Sequence, residues 1–428
     1  MKRLTILFIF ALGNLAFAQT TLQDCYRLAR EHHPLAGRDS IYDTIEKRQM
    51  LNLDAAWYPQ IDLFGQAQYQ SDVTEIPIDI QLPNVNLDMP QIPKTQYKAG
   101  VQVNQIIWDG GALAARRGLV RQETLARKSE SAADMLSVEQ KVNDAFFGVM
   151  ALRQNKSIIQ LNMTTLETRL ESVNSAVRAG VTTESQANIL RAELLRLRQR
   201  VDELNSAAES SLYSLARLTD RDFGSDLELE FPREPGIKGI IPDAASRPEY
   251  KAFDHNRKSL DESESLADAE IMPKFFAFGQ GAIGRPGLDM FDPDPQPFYI
   301  VGLKMSWKFW DWGTSSRERE VLELRRSLID KQEETLRMNI NIGGQRYIDR
   351  ISALGELIAQ DKEIIELKQK IVDAAASQMD NGTITATEYI SEFNSLMEAR
   401  MNLQSHRLEL IRAKYEYLTF LGLNNIEQ

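Results

Sequence analysis

The residues of this 428-residue chain that could do chemistry are mostly carboxylates: 61 Asp and Glu stand against 50 Lys and Arg, with four histidines and one cysteine. His32, His33, His255 and His406 are too few and too scattered for a metal-ligand set. The His32-His33 pair closes a short helical segment before Pro34 and is read as solvated. No nucleophile clusters with a base and no glycine-rich phosphate loop occurs, so neither an enzyme nor a cofactor is expected. Cys25 is the sole cysteine and cannot form an intrachain disulfide. Leu22-Gln23-Asp24 before it lacks the small residues of a lipid-attachment site, and it is read as a cysteine on a helix face. A net charge of −11 speaks against a nucleic-acid partner. Two carboxylates have a positional signature: Glu184 follows Thr183 and Glu388 follows Thr387, each just past a glycine, Gly180 and Gly382. Both fall in the first turn of a helix, where the helix dipole favours negative charge and a capping role is the simplest reading.

The elements that place these carboxylates are long and duplicated. Trp108-Asp109-Gly110-Gly111 opens a proline-free stretch that closes at Ala179-Gly180; Trp310-Asp311-Trp312-Gly313 opens another that closes at Asn381-Gly382. An offset of 202 maps Trp108 onto Trp310, Gly180 onto Gly382 and Tyr213 onto Tyr415. Each stretch reads as one helix ended by glycine, about 100 Å long at 1.5 Å per residue. Such rods need partners, in a coiled coil or a barrel of helices. Ile351, Ile358, Ile365 and Val372 lie seven apart, and so do Leu357, Ile364 and Ile371. Two adjacent seams suit a helix with a neighbour on each side; the charged positions between them are read as a solvated face.

Two strand pairs stand beside the rods. Ile61, Leu63, Gly65, Ala67 and Tyr69 alternate with polar residues from Gln60 to Gln70, and Tyr97, Ala99, Val101 and Val103 alternate before Trp108. The second pair is Lys274 to Ile283, the least periodic of the four, and the run containing Val301, Leu303, Met305, Trp307 and Phe309. Proline-rich loops, Val73 to Gln96 and Gly284 to Pro297, join each pair. Each strand has about the length a tilted strand needs to cross a bilayer, with one apolar and one wet face. Trp57, Tyr58, Trp108, Trp307, Trp310 and Trp312 gather near the strand–helix junctions, as an interfacial aromatic belt would. Four strands cannot close a barrel, so chains must pool them, and three chains give about twelve. The alternative is a soluble two-hairpin sheet in a periplasmic coiled-coil adaptor or scaffold.

The boundaries follow. Met1-Lys2-Arg3, an apolar run and Ala16-Phe17-Ala18 make residues 1–18 a signal peptide for export. Residues 19–220 form the first repeat: helix, hairpin 60–108, long helix 111–179 and helix 183–219. A linker with a Pro- and Gly-rich end spans 221–242. Residues 243–428 form the second repeat, with hairpin 273–311 and helices 313–380 and 385–421.

Over essentially its whole mature length the chain resembles the TolC-type outer-membrane efflux proteins. The resemblance rests on Thr21-Leu22-Gln23-Asp24-Cys25 with His33-Pro34, Trp57-Tyr58-Pro59 and Gln105-Ile106-Ile107-Trp108-Asp109-Gly110-Gly111. Added to these are Ala179-Gly180-Val181-Thr182-Thr183-Glu184 and the answering Asn381-Gly382-Thr383-Ile384-Thr385-Ala386-Thr387-Glu388. It implies a mixed α and β membrane protein with an internal two-fold repeat. Three chains would form a long α-helical coiled-coil barrel and a trimeric 12-stranded transmembrane β-barrel. The implied role is a passive exit duct of a tripartite efflux pump or type I secretion system in the Gram-negative outer membrane. The implied partners are an inner-membrane transporter and a periplasmic adaptor. The adaptor would dock on the tunnel tip, at Gly180, Val181, Thr182, Thr183, Glu184, Gly382, Thr383, Ile384, Thr385 and Thr387. Glu388 matches the first of two acidic pore-narrowing positions; the second falls on Ser391, and a basic tip partner falls on Ile384. Neither departure suits a tight charged gate. In three copies about an axis, the tip carboxylates would form a ring favouring cations.

Overall fold

A computed structural model describes residues 20–74, 92–221, 228–240, 246–290, 292 and 294–424. The signal peptide assigned to 1–18 lies outside them, as do parts of the loops Val73 to Gln96 and Gly284 to Pro297 and of the linker 221–242.

The order is α1 (Leu22–His32), a 3₁₀ turn (Pro34–Gly37), α2 (Arg38–Ala55), β1 (Gln60–Tyr69), β2 (Thr95–Trp108), α3 (Ala112–Arg178), α4 (Glu184–Thr219), α5 (Pro248–Glu270), β3 (Lys274–Arg285), β4 (Gln296–Ser306), α6 (Thr314–Asp380) and α7 (Ala386–Leu421). Thr21 starts α1 in a capping box: its hydroxyl accepts from the Asp24 N–H while the Asp24 carboxylate accepts from the Thr21 N–H. His33 is extended, as a residue before proline tends to be, and its Nδ1 accepts from the Leu35 N–H to begin the 3₁₀ turn. His33 thus has a capping task where solvation was expected.

α3 and α6 each hold 67 residues, α4 and α7 each 36. The long helices begin in the same way. Asp109 Oδ2 accepts from the Leu113 N–H at 2.6 Å and Oδ1 from the Gly111 N–H at 3.0 Å. Asp311 does the same for Ser315 and Gly313, at 2.8 and 2.9 Å. A carboxylate before each rod satisfies donors that a helix start leaves open. The hydrogen bonds from Ser315 and Gly313 hold the Asp311 carboxyl down at about 2.

All four strands lie in one antiparallel sheet, in the order β1-β2-β3-β4. The two hairpins join through β2 and β3, where Gln102 faces Gln280 and Val103 faces Gly279, with an irregularity between Ile106 and Trp108.

The chain divides into two compact units, each drawing on both repeats: residues 1–38, 130–250 and 334–428, and residues 39–129 and 251–333. In the first, one apolar cluster holds Tyr26, Phe146, Phe147 and Leu215, and Cys25 belongs to it with no exposed surface. Cys25 thus sits on the buried face of α1 with Leu22, Tyr26 and Ala29, and burial pushes its thiol up to about 12, which makes it an inert core residue. Glu139, also buried, accepts from Arg30 Nε and Asn424 Nδ2, both at 2.5 Å, which compensates its burial. A second cluster runs from Ile159, Leu166 and Leu197 to Ala187, Ala386 and Tyr389. Of the two seams, Val372 is buried and Ile365 packs on this cluster, whereas Leu357, Ile364 and Ile371 remain 39–46% exposed.

The second unit holds the sheet with α2, α5 and the first parts of α3 and α6. Here many charges pair between helices instead of only facing solvent. Arg257 bonds Asp330 and Glu333, Arg326 bonds Asp261, and Arg319 bonds Asp268. The exposed pairs among them, such as Arg319 with Asp268, add little stability each.

Candidate functional site: two helical turns and a two-faced sheet

The α3–α4 and α6–α7 turns share a backbone design. Gly180 and Gly382 have φ of +72° and +69°, a conformation that glycine adopts without the steric cost of a Cβ. Beyond them the Val181 N–H reaches the Ala176 carbonyl and the Thr383 N–H reaches the Gln378 carbonyl, both at 2.9 Å. These are Schellman closures, which satisfy carbonyls that a helix end leaves open.

The helix starts after the turns differ. Thr385 caps α7 with Glu388 as its partner: Glu388 Oε2 accepts from the Thr385 N–H at 2.7 Å. Thr387 is not the cap, and it stands exposed inside the first turn. Those bonds from Thr385 lower the Glu388 pKa below the usual carboxylate value. Thr183 caps α4 through its backbone geometry and makes no side-chain cap bond. Glu184 is the first residue of α4, while Glu388 is the third of α7. The residue matching Glu388 at the 202 offset is Gln186, so the two carboxylates do not occupy equivalent positions.

Gln186 and Arg169, neither singled out from the sequence, tie the two turns together. Gln186 Oε1 accepts from the Ala386 N–H at 2.6 Å. Arg169 of α3 grips Asp380 with two nitrogens, at 2.8 and 2.9 Å, and donates to the Ala376 carbonyl at 2.6 Å. Its guanidinium lies 5.3 Å from the centre of the Tyr389 ring. Ile384, at the position where the resemblance implies a basic tip partner, packs on the apolar cluster. Val181 is 76% exposed, and Ser391 and Glu388 are exposed.

The sheet, in the other unit, has two chemically distinct faces. Up to the irregularity that sets Trp108 opposite Phe275, register puts the even-numbered residues of all four strands on one side: Asp62 faces Gln102, Gln66 faces Lys98, Gln102 faces Gln280, and Phe276 faces Lys304. The amides there link up, with Gln66 donating to Gln68 and Gln68 to Gln96, both at 2.9 Å. The odd side presents Ile61, Leu63, Tyr69, Val101, Ile283, Tyr299, Val301, Leu303 and Met305, all exposed, with Leu63 and Leu303 both at 85%. Such a face is far too apolar to be left in water. Trp57 and Tyr58 lie between α2 and β1, Trp108 ends β2, and Trp307, Trp310 and Trp312 lie between β4 and α6. Trp108 packs on Phe275 with ring centres 6.0 Å apart, and Trp307 Nε1 donates to the Ile271 carbonyl at 3.0 Å. All six keep exposed surface. Among the described residues no group of three or more His, Cys, Asp or Glu could hold a metal ion, and no helix is long and apolar enough to cross a membrane.

Two long helices, two shorter ones and a four-stranded antiparallel sheet with one exposed apolar face characterise the fold. Residues 49–220 match the family described as outer membrane efflux protein. Solved structures share the fold over nearly the whole chain. CusC, described as undergoing transmembrane channel formation, is 13% identical with a TM-score of 0.69, covering 95% of this chain and 93% of its own. The outer membrane protein VceC of Vibrio cholerae is 14% identical with a TM-score of 0.67, covering 94% and 96%. The MtrE outer membrane channel of Neisseria gonorrhoeae is 16% identical with a TM-score of 0.66, covering 94% and 89%. No curated protein matches the chain by sequence. The family match covers residues 49–220, and the likeness to the solved channels over nearly the whole chain is one of fold.

Proposed function

We propose that the chain is an outer-membrane exit duct that passively conducts cargo delivered by an inner-membrane transporter through a periplasmic adaptor. The observation that carries this reading is the sidedness of the sheet. A row of exposed Ile, Leu, Val and Tyr on one face, behind a row of Gln, Asn and Lys, suits a wall between lipid and water. Four strands leave two open edges, which lipid does not tolerate, so three copies close a twelve-stranded barrel. The exposed seam of Leu357, Ile364 and Ile371 offers the matching helical contact to a second copy. Trp57, Tyr58, Trp108, Trp307, Trp310 and Trp312 are the belt at one interface. The two repeats, 19–220 and 243–428 about the linker 221–242, supply one hairpin and one pair of rods each.

The adaptor docks at the two turns, on Gly180, Val181, Thr182, Thr183, Glu184, Gly382, Thr383, Ile384, Thr385 and Thr387, and Glu388 and Ser391 line the narrow end of the tunnel. Exposure of Val181 and Glu388 supports the placement. Fractionation of cells expressing the full chain tests the reading. An outer-membrane fraction holding a detergent-stable trimer is the expected result, and a monomer free in the periplasm would overturn it in favour of the adaptor or scaffold.

A further inference from the structure

The charge of the sheet runs against that of the chain. The protein carries −11, yet its four strands hold Lys98, Lys274, Arg285 and Lys304 against a single carboxylate, Asp62. Register fixes where they point. Lys98 faces Gln66 and Gly284, Lys304 faces Phe276, and Lys274 faces Ser306, so all three lysines share the amide-rich side with Asp62. The strand residues on that side therefore carry a net positive charge, while Asp292 of the β3–β4 loop meets Gln296 at its loop end.

The same side also carries rings. Phe276, Phe278 and Phe298 stand among the amides, and Gly302 opposite Phe278 makes room for its ring, since an added Cβ would lie 2.8 Å from it. Around Lys98 the surface is concave: a cavity of about 460 Å³ is lined by Gln66, Gln68, Gln96, Gln280 and Phe298. Arg285 also borders it, and no Asp or Glu does among the described residues. The volume is in the range of small-molecule sites, and cations, amide donors and an aromatic wall suit a ring bearing a carboxylate or other acid group. Rings of Lys or Arg around a pore favour anions, and the effect is strongest where the walls exclude water.

We propose that the barrel segment of this duct is selective for organic anions, with Lys98 the central contact of an aromatic-acid subsite and Lys274 and Lys304 setting the field at the helix-proximal end. The inference rests on the reading that the even-numbered face lines a lumen. It is independent of the turns, whose carboxylates favour the opposite sign, so the test is a difference between variants and not the absolute selectivity of the pore.

The experiment is the reversal potential of the purified full-length channel in a planar bilayer under a gradient of potassium benzoate. K98Q/K274Q/K304Q is expected to shift it toward the potassium potential, with a severalfold rise in the potassium-to-benzoate permeability ratio. An unchanged reversal potential in a conducting triple variant would overturn the proposal. If the triple variant does not assemble, K98Q alone, at an exposed position near the loop end of β2, is expected to give a smaller shift of the same sign, and no shift overturns the proposal equally. Absence of any conductance from the unmodified protein would instead sink the duct reading itself.

Discussion

The Gln186 side chain accepts a hydrogen bond from the Ala386 N–H at 2.6 Å, across 200 positions of sequence, and thereby caps a helix that belongs to the other repeat. Ala386 has no exposed surface, so its N–H has no simple route to water. Q186L is therefore expected to leave an unsatisfied buried donor and to cost about 1–3 kcal/mol locally. Hydrogen exchange of amides 386–390 reads this directly. Protection equal to that of the unmodified protein would show that the bond contributes nothing.

Glu388 makes the second turn pH-sensitive. Its pKa is lowered by the bonds from Thr385, so the stabilisation is present above the unfolded value of 4.5 and is lost as pH falls through the folded value. Fraying at the start of α7 should rise as pH drops below about 4.5, and E388Q should remove that dependence. T385A should weaken the helix start at every pH, by about 1 kcal/mol. Amide exchange across a pH series separates the two variants; a steep pH response retained in E388Q would assign the effect to another group.

The starts of the rods yield a prediction about strain. At the 202 offset Trp312 matches Gly110, and both have positive φ, +57° and +74°. A non-glycine residue held there costs roughly 1–2 kcal/mol. W312G should thus relieve backbone strain while removing an exposed ring. In detergent, where no bilayer interface rewards that ring, the variant should melt no lower than the unmodified protein, and in membranes its insertion should be impaired. Lower melting in detergent would mean that the contact of Trp312 with Trp310, ring centres 5.8 Å apart, outweighs the strain.

Strands β1, β2 and β4 were legible because alternation survives wherever one face meets water and the other does not. β3 was least legible for a visible reason: Phe276 and Phe278 stand on the amide-rich face, so its two faces are both apolar in that stretch. The rods were legible from the absence of proline and from Gly180 and Gly382, since chain stiffness and turn chemistry are local. The latch made by Gln186 and Arg169 was not. A glutamine at the third position of a helix and an arginine in mid-helix are ordinary residues until packing brings Ala386 and Asp380 to them. Repetition was also a partial guide only: it aligned the turns but hid that Glu184 matches Ala386 and that Gln186 matches Glu388.

The central claim is that the sheet separates lipid from water, and site-directed spin labelling along β1 tests it most directly. Labels placed singly at Ile61, Asp62, Leu63, Gln66, Ala67 and Gln68 would be scanned in membranes for collision with oxygen, which concentrates in lipid, and with a water-soluble nickel chelate. The account predicts a period of two, with 61, 63 and 67 facing oxygen and 62, 66 and 68 facing the chelate. Equal access of the chelate to both sets would contradict it, because both faces of the sheet would then stand in water.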